Sequence, residues 1–209
     1  MKALLEALER GLVVAVATES SFGLLADATR PSALDALLAV KPRGAEKGIP
    51  LVLPDEASWL ALVPEVPAAA RALAAAFWPG ALSIALPGHA TLDPRVTLDG
   101  SVAVRVPGSS PAAELARAFG RPLTATSANP PGEPPALTVA EVRHALGQAV
   151  ERGLLHVAEG AAPGGPPSTL VTFEGQRARV VREGRVAVAR VREVLARVGL
   201  DLDETGPAR

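Results

Sequence analysis

A single α/β domain with a twisted, mixed parallel and antiparallel sheet flanked by helices is the fold class this sequence predicts, and three observations carry it. Apolar runs of strand length alternate with segments of helical period along most of the chain, with no internal repeat and no linker-like stretch. The runs at residues 168–173 and 178–182 are too close together for a helical crossover, so part of the sheet must be antiparallel. The chain has 209 residues, 48% apolar and 21% charged, which is enough for one core and far from the disordered regime. The expected domain is 1–199, with 200–209 as a tail.

The elements follow in order. Residues 2–10 carry Leu4, Leu5 and Leu8 at helical spacing, and Gly11 ends that helix before LVVAVA, a buried strand closing at Thr18. TESSFG is polar and turn-forming. PSALDALLAV then opens a helix with Pro31 and Ser32 at its start, and Pro42 stops it near Val40, because a residue before proline avoids the helical region. After the loop KPRGAEKG come a short strand, IPLVL, and helical stretches at 55–62 and 67–76. FWPG breaks the pattern. ALSIAL, SVAVRVP and RPLTAT read as strands, with a helix near 110–119 between the last two. The loop SANPPGEPPAL leads to a helix opening at Thr138, with Glu141 three residues on as a capping box. A strand at LLHVAE, the Gly/Pro-rich AAPGGPP, the paired strands STLVTF and ARVVR, and a helix at 189–198 complete the order.

Composition narrows the chemistry. A net charge of -1 gives no bulk field for a polyanion, so any nucleic-acid contact must come from a local basic patch. The absence of cysteine excludes disulfides and thiolate metal sites and fits a reducing cytosol. The N-terminal segment has no small-residue cleavage site and is too short to span a bilayer, so a cytoplasmic protein with no membrane partner is expected. GxxxxGK[ST], GxGxxG after a strand, and GxSxG are all missing, and His89, His144 and His156 have no neighbours at metal-ligand spacing.

What remains is a set of polar residues where apolar strands end. TESSFG follows the first strand, TSAN follows RPLTA, and Arg105 and Arg182 stand near the ends of SVAVRVP and ARVV. Strand ends are where α/β sheets place ligands. Thr18, Ser20 and Ser127 could equally just terminate strands. Asn129 is the only asparagine in the chain, and Lys41 and Lys47, two of its three lysines, flank Arg43 in KPRGAEK. Cations after a helix C-terminus gain about 0.3–1 kcal/mol from the helix dipole. The alternative is an anion clamp, with arginine as a bidentate fork and the lysines as point charges on phosphate.

Taken together, these segments resemble the YrdC-like threonylcarbamoyl-AMP synthases. ATESSFGL at 17–24 resembles the family's P-T-[DE]-T-x-Y-G-L, and KPRGAEKGIPLVL its K-x-R-P block. FWPGAL, VAVRVP, PLTATSANPPG, STLV and REG match further blocks in family order, from residue 12 to about 186. Ala17, Ser20 and Phe22 depart from the usual proline, threonine and tyrosine, and Gly44 from the proline of K-x-R-P. The length leads one to expect the family's single-domain form.

The resemblance implies a reaction: L-threonine, bicarbonate and ATP give threonylcarbamoyl-AMP and pyrophosphate, for threonylcarbamoyladenosine in tRNA. It implies Lys41 and Arg43 as catalytic cations. Lys41, Arg43, Lys47, Ser101, Asn129, Thr138 and Arg182 become ATP contacts, and Thr18, Arg105, Ser127 and Ser168 become threonine contacts. Mg²⁺ is expected with the triphosphate, without dedicated protein ligands. Expected partners include the proteins that pass the threonylcarbamoyl group onward, with tRNA or duplex RNA as a candidate. The alternative is a non-catalytic nucleotide- or RNA-binding module of the same fold.

Overall fold

The apolar run that opens the chain becomes β1 (Val13–Ala17), a strand buried on both faces. Val13, Ala15 and Ala17 join one hydrophobic cluster, and Val14 and Val16 join a second on the other side. This two-sided burial is why the segment reads as continuous rather than alternating. The computed structural model describes residues 1–42, 48–175 and 177–203. Within them, α1 (Lys2–Glu9) precedes β1, and β2 (Phe22–Leu25), α2 (Pro31–Val40) and β3 (Leu51–Val52) follow. A 3₁₀ turn at Ala57–Ala61 leads to α3 (Ala68–Phe77), β4 (Leu82–Pro87), a second 3₁₀ turn at Pro94–Val96, β5 (Thr97–Leu98) and β6 (Ser101–Arg105). Then come α4 (Pro111–Phe119), β7 (Leu123–Thr124), β8 (Thr126–Ser127), α5 (Val139–Glu151), β9 (Leu155–Val157), β10 (Thr169–Glu174), β11 (Arg177–Arg182), α6 (Val188–Arg197) and β12 (Leu202–Asp203).

The strands form two mixed sheets. The smaller runs β8-β2-β1-β9, with β1 antiparallel to β2 and parallel to β9. The larger runs β12-β11-β10-β4-β6-β3-β7, with β5 pairing on β6. β10 and β11 are antiparallel, as their short connection requires. A bridge between Asp27 and Leu123, flanked by the bonds from Thr124 N to the Ala26 carbonyl and from Ala28 N to the Pro122 carbonyl, links the sheets. α1 and α4 cover one side of β1, where Leu8, Leu115 and Phe119 pack with Val14 and Val16. The larger cluster gathers Leu34 and Leu37 of α2, Leu73 of α3, Val142 of α5 and Leu195 of α6 against the strands. Each fully buried leucine contributes about 1.5–3 kcal/mol.

Local chemistry sets the helix ends. At α4 the Ser110 hydroxyl accepts from Ala113 N, Pro111 occupies the first turn, and Gly120 closes the helix in the left-handed region. At α5 the expected capping box forms, with Thr138 and Glu141 satisfying each other's backbone N–H groups.

Two segments differ from the sequence-based expectation. FGLL, after the polar turn, is a strand, because pairing with β1 and β8 buries all four residues. Phe22 is therefore a core side chain. Leu202 and Asp203, inside the expected tail, pair with β11 as a parallel edge strand.

The larger sheet has a half-open face that positions the site. Along β6, Val102 and Val104 are buried while Ser101, Ala103 and Arg105 lie on the other face, partly buried. The pairings Ala85↔Ala103, Leu170↔Ser83 and Thr172↔Ala85 continue that face across β4 and β10.

Candidate functional site

Lys41 caps α2 in an extended conformation, as the following proline demands. Its side chain turns inward and is only 8% exposed. The ammonium donates to the Ser127 carbonyl at 2.7 Å, the Ser127 hydroxyl at 3.3 Å and Asn129 Oδ1 at 3.3 Å. Asn129 is fixed from its other end, where Nδ2 donates to the Pro130 carbonyl at 3.0 Å and the Glu133 carbonyl at 2.5 Å. The lone asparagine thus orients a buried cation and folds the SANPPG loop around it. Arg43 and Lys47, the other two cations of that segment, lie outside the described residues.

The TESSFG turn sits beside this cluster. Ser127 pairs across the sheet with Gly23, and Ala128 N donates to the Phe22 carbonyl at 2.8 Å. The Thr18 hydroxyl donates to the Ser21 carbonyl at 2.7 Å and accepts from Ser20 N and Ser21 N at 3.2 and 3.3 Å. It shapes the turn that aims the next residue, Glu19, at Arg105.

Glu19 is the hub of the site. Its Oε1 accepts from Arg105 NH1 at 3.1 Å and from Gly108 N at 2.7 Å, and its carbonyl accepts from Arg185 NH2 at 2.9 Å. Both members of the ion pair are largely dry, with side-chain exposures of 13% for Arg105 and 12% for Glu19. Glu19 Oε2 is buried without a hydrogen-bond partner among the described residues. Arg185 also donates to the Gly164 carbonyl, tying the AAPGGPP loop to the hub.

On the far side, Arg182 donates through Nε and NH2 to the Ser168 carbonyl at 3.2 and 2.9 Å, and NH2 lies 3.4 Å from the Ser168 hydroxyl. That hydroxyl also meets Ser83 at 2.9 Å. Loss of hydration, and then the neighbouring positive charge of Arg105, push the Arg182 pKa below the ordinary guanidinium value. Buried Thr169 staples this corner: its hydroxyl donates to the Val186 carbonyl at 2.5 Å and accepts from Gly184 N at 2.8 Å. Gly184 is required there, since a Cβ would overlap the Pro167 carbonyl and Ser168.

The structure therefore brings together Lys41, Ser127 and Asn129 on one side of the Thr18 turn, and Arg105, Ser168 and Arg182 on the other. Ser101 shares the face of Arg105 but stands at the opposite end of β6, about 13 Å away at strand rise. The Thr138 hydroxyl accepts from Glu141 N in the α5 cap. Glu19, Ser83 and Arg185 escaped the sequence-based list. Glu19 lay in view inside TESSFG, and Arg185 ends the REGR run.

The family profile described as Telomere recombination, which spans Sua5, YciO and YrdC, matches residues 6–184. The chain belongs to the Sua5/YciO/YrdC family. Its relatives in this family include the threonylcarbamoyl-AMP synthase of Chromohalobacter salexigens, 39% identical over 69% of this chain and 78% of that one. The threonylcarbamoyl-AMP synthase of Sodalis glossinidius is 40% identical over 68% and 77%. Among solved structures, P. abyssi Sua5 complexed with L-threonine superposes with a TM-score of 0.85 at 25% identity. That match covers 97% of this chain but 58% of the Sua5 chain. Escherichia coli YciO shares the fold at 22% identity, with a TM-score of 0.75 over 90% of this chain and 91% of that one. Among the described residues, no helix of this family member is long and apolar enough to cross a membrane.

Proposed function

We propose that the chain is an L-threonylcarbamoyladenylate synthase of the cytoplasm, condensing L-threonine, bicarbonate and ATP into threonylcarbamoyl-AMP and pyrophosphate. The observation that carries this is the convergence of motif blocks scattered from 17 to 186 into one hydrogen-bonded site. KPRG meets TSAN through Lys41, TESSFG meets VAVRVP through Glu19 and Arg105, and STLV meets REG through Ser168 and Arg182. The named activity of the bacterial relatives, and the threonine held by a Sua5 relative, support the same substrates.

Chemically, the neutral amine of threonine captures carbon dioxide with loss of a proton, or bicarbonate with loss of water, to form a carbamate whose oxygen attacks the α-phosphorus as pyrophosphate leaves. Little covalent work falls to the protein. Its task is to hold anions together and neutralise charge as it builds on the leaving group. Arg105 presents its fork to the threonine carboxylate on the half-open face, while Ser127 and Ser168 flank it. Lys41, oriented by Asn129, takes a phosphate, Arg43 and Lys47 are assigned to the phosphates by their motif positions, and Arg182 closes the nucleotide side. Ser101 and Thr138 bound that side more remotely, and the Thr18 turn sets the distance between the two halves.

Magnesium bound with the triphosphate would supply charge shielding there, without dedicated protein ligands. Among the described residues there is no group of three His, Cys, Asp or Glu side chains that could hold a metal ion. The product passes to proteins that transfer the threonylcarbamoyl group to tRNA, and tRNA itself is a candidate partner. Pyrophosphate release from ATP that requires both threonine and bicarbonate tests the proposal; folded protein that releases none overturns it.

A further inference from the structure

We infer that Glu19 is the receptor for the amino group of the substrate, its unpaired oxygen forming the second half of a zwitterion clamp whose first half is Arg105. The inference rests on the amino-acid substrate proposed above and assigns a contact to a residue that the motif comparison leaves without a role.

Four observations carry it. Glu19 Oε1 is fully engaged by Arg105 NH1 and Gly108 N, which fixes the carboxyl group against the one arginine placed for a substrate carboxylate. Its other oxygen, Oε2, is buried with no hydrogen-bond partner among the described residues. A charged acceptor left dry in this way is costly, and native proteins keep such groups where a ligand or water completes them. The guanidinium of Arg105, in turn, contacts Glu19 through NH1 and has no further side-chain partner among the described residues, so its NH2 and Nε edge can take a carboxylate. Finally, among the described residues Glu19 is the only acid in hydrogen-bond contact with Arg105, and Arg182 and Arg185 stand nearby. A purely cationic pocket would accept any small carboxylate. One carboxylate beside the fork selects a ligand that carries an amine next to its acid group.

Glu19→Gln isolates this role. The amide oxygen can still accept from Arg105 and Gly108 N, while the dry oxygen becomes an NH₂ donor that repels an ammonium. Calorimetric titrations of the full chain compare L-threonine with (R)-3-hydroxybutanoate, which is threonine without its amine. The expected result is a loss of about tenfold or more in threonine affinity in Glu19→Gln, with the deamino analogue bound as in the wild type. Glu19→Asp, which keeps the charge at shorter reach, should recover part of the loss. Equal weakening of both ligands would mean that Glu19 acts only by orienting Arg105, and would overturn the inference. Unchanged or tighter threonine binding would also overturn it. Wild-type protein that binds ATP but no threonine would overturn the amino-acid substrate itself, a distinct failure visible before any variant is made.

Discussion

Two arginines on the larger sheet and its loops make opposite use of the same chemistry. Arg95 is saturated. Its Nε and NH2 fork onto Asp93 at 2.8 and 2.6 Å, NH1 pairs with Asp35, and NH2 also reaches the Pro31 carbonyl at 3.2 Å. The hydrogen bonds from Arg95 hold the Asp93 carboxyl below its ordinary pKa, and those acids in turn raise the pKa of Arg95. Its backbone carbonyl accepts from Ile49 N at 2.9 Å, so the network anchors the chain where it leaves the 43–47 segment. Arg105 instead has one side-chain partner among the described residues, leaves an oxygen of that partner dry, and faces the like charge of Arg182. A saturated guanidinium holds the scaffold. An unsaturated one, kept largely out of water, marks where a ligand completes the bonding.

The contrast can be broken most sharply at Arg105. Arg105→Ala should lower kcat/KM for threonine by about a hundredfold or more, since removing one member of a buried charge pair costs about 2–5 kcal/mol. Arg95→Ala should lower kcat/KM far less, and equal losses of kcat/KM in the two variants would erase the distinction. Arg95→Ala should cost about 2–3 kcal/mol in urea unfolding while leaving KM for threonine within about twofold. Thr138→Ala should cost about 1 kcal/mol through the lost α5 cap. Calorimetry with ATP then separates capping from a direct nucleotide contact, because only the latter lowers ATP affinity in the folded variant.

The smallest effect is Asp93→Asn, at about 0.5–1 kcal/mol. Because Arg95 depresses the folded pKa of Asp93, the ionised carboxyl stabilises the fold above its unfolded value of about 3.9 and ceases to do so as pH falls through the folded value. Variant and wild type should therefore converge in thermal stability in acid and separate toward neutrality. A gap that widened in acid would contradict the assignment.

Most of the fold was legible because its strongest elements carry local signals. LVVAVA, ALSIAL and the two runs of the β10–β11 pair became strands, and Pro31 and the Thr138–Glu141 box placed two helix starts. β2 was not legible, since FGLL is too short to show a period and follows turn residues; its partners lie across the sheet. The edge strand at Leu202–Asp203 likewise exists only through its pairing with β11. In the site, Lys41, Arg105, Ser127 and Asn129 stood out as polar residues at strand ends or as rarities of composition. Glu19 did not, because one acid in a polar turn has no special signal until tertiary structure brings Arg105 and Gly108 to it. Thr18 was expected at the substrate, and in the structure its hydroxyl donates to the Ser21 carbonyl of its own turn. That places it as the residue that aims Glu19.

The most direct measurement of the central claim follows the carbon. Purified protein is incubated with ATP, magnesium, L-threonine and ¹³C-bicarbonate, and the products are resolved by mass spectrometry. A threonylcarbamoyl-AMP species carrying the label, formed in step with pyrophosphate and lost in Arg105→Ala, is the predicted result. Pyrophosphate and AMP released without a labelled adduct, or no turnover by folded wild-type protein, would contradict it.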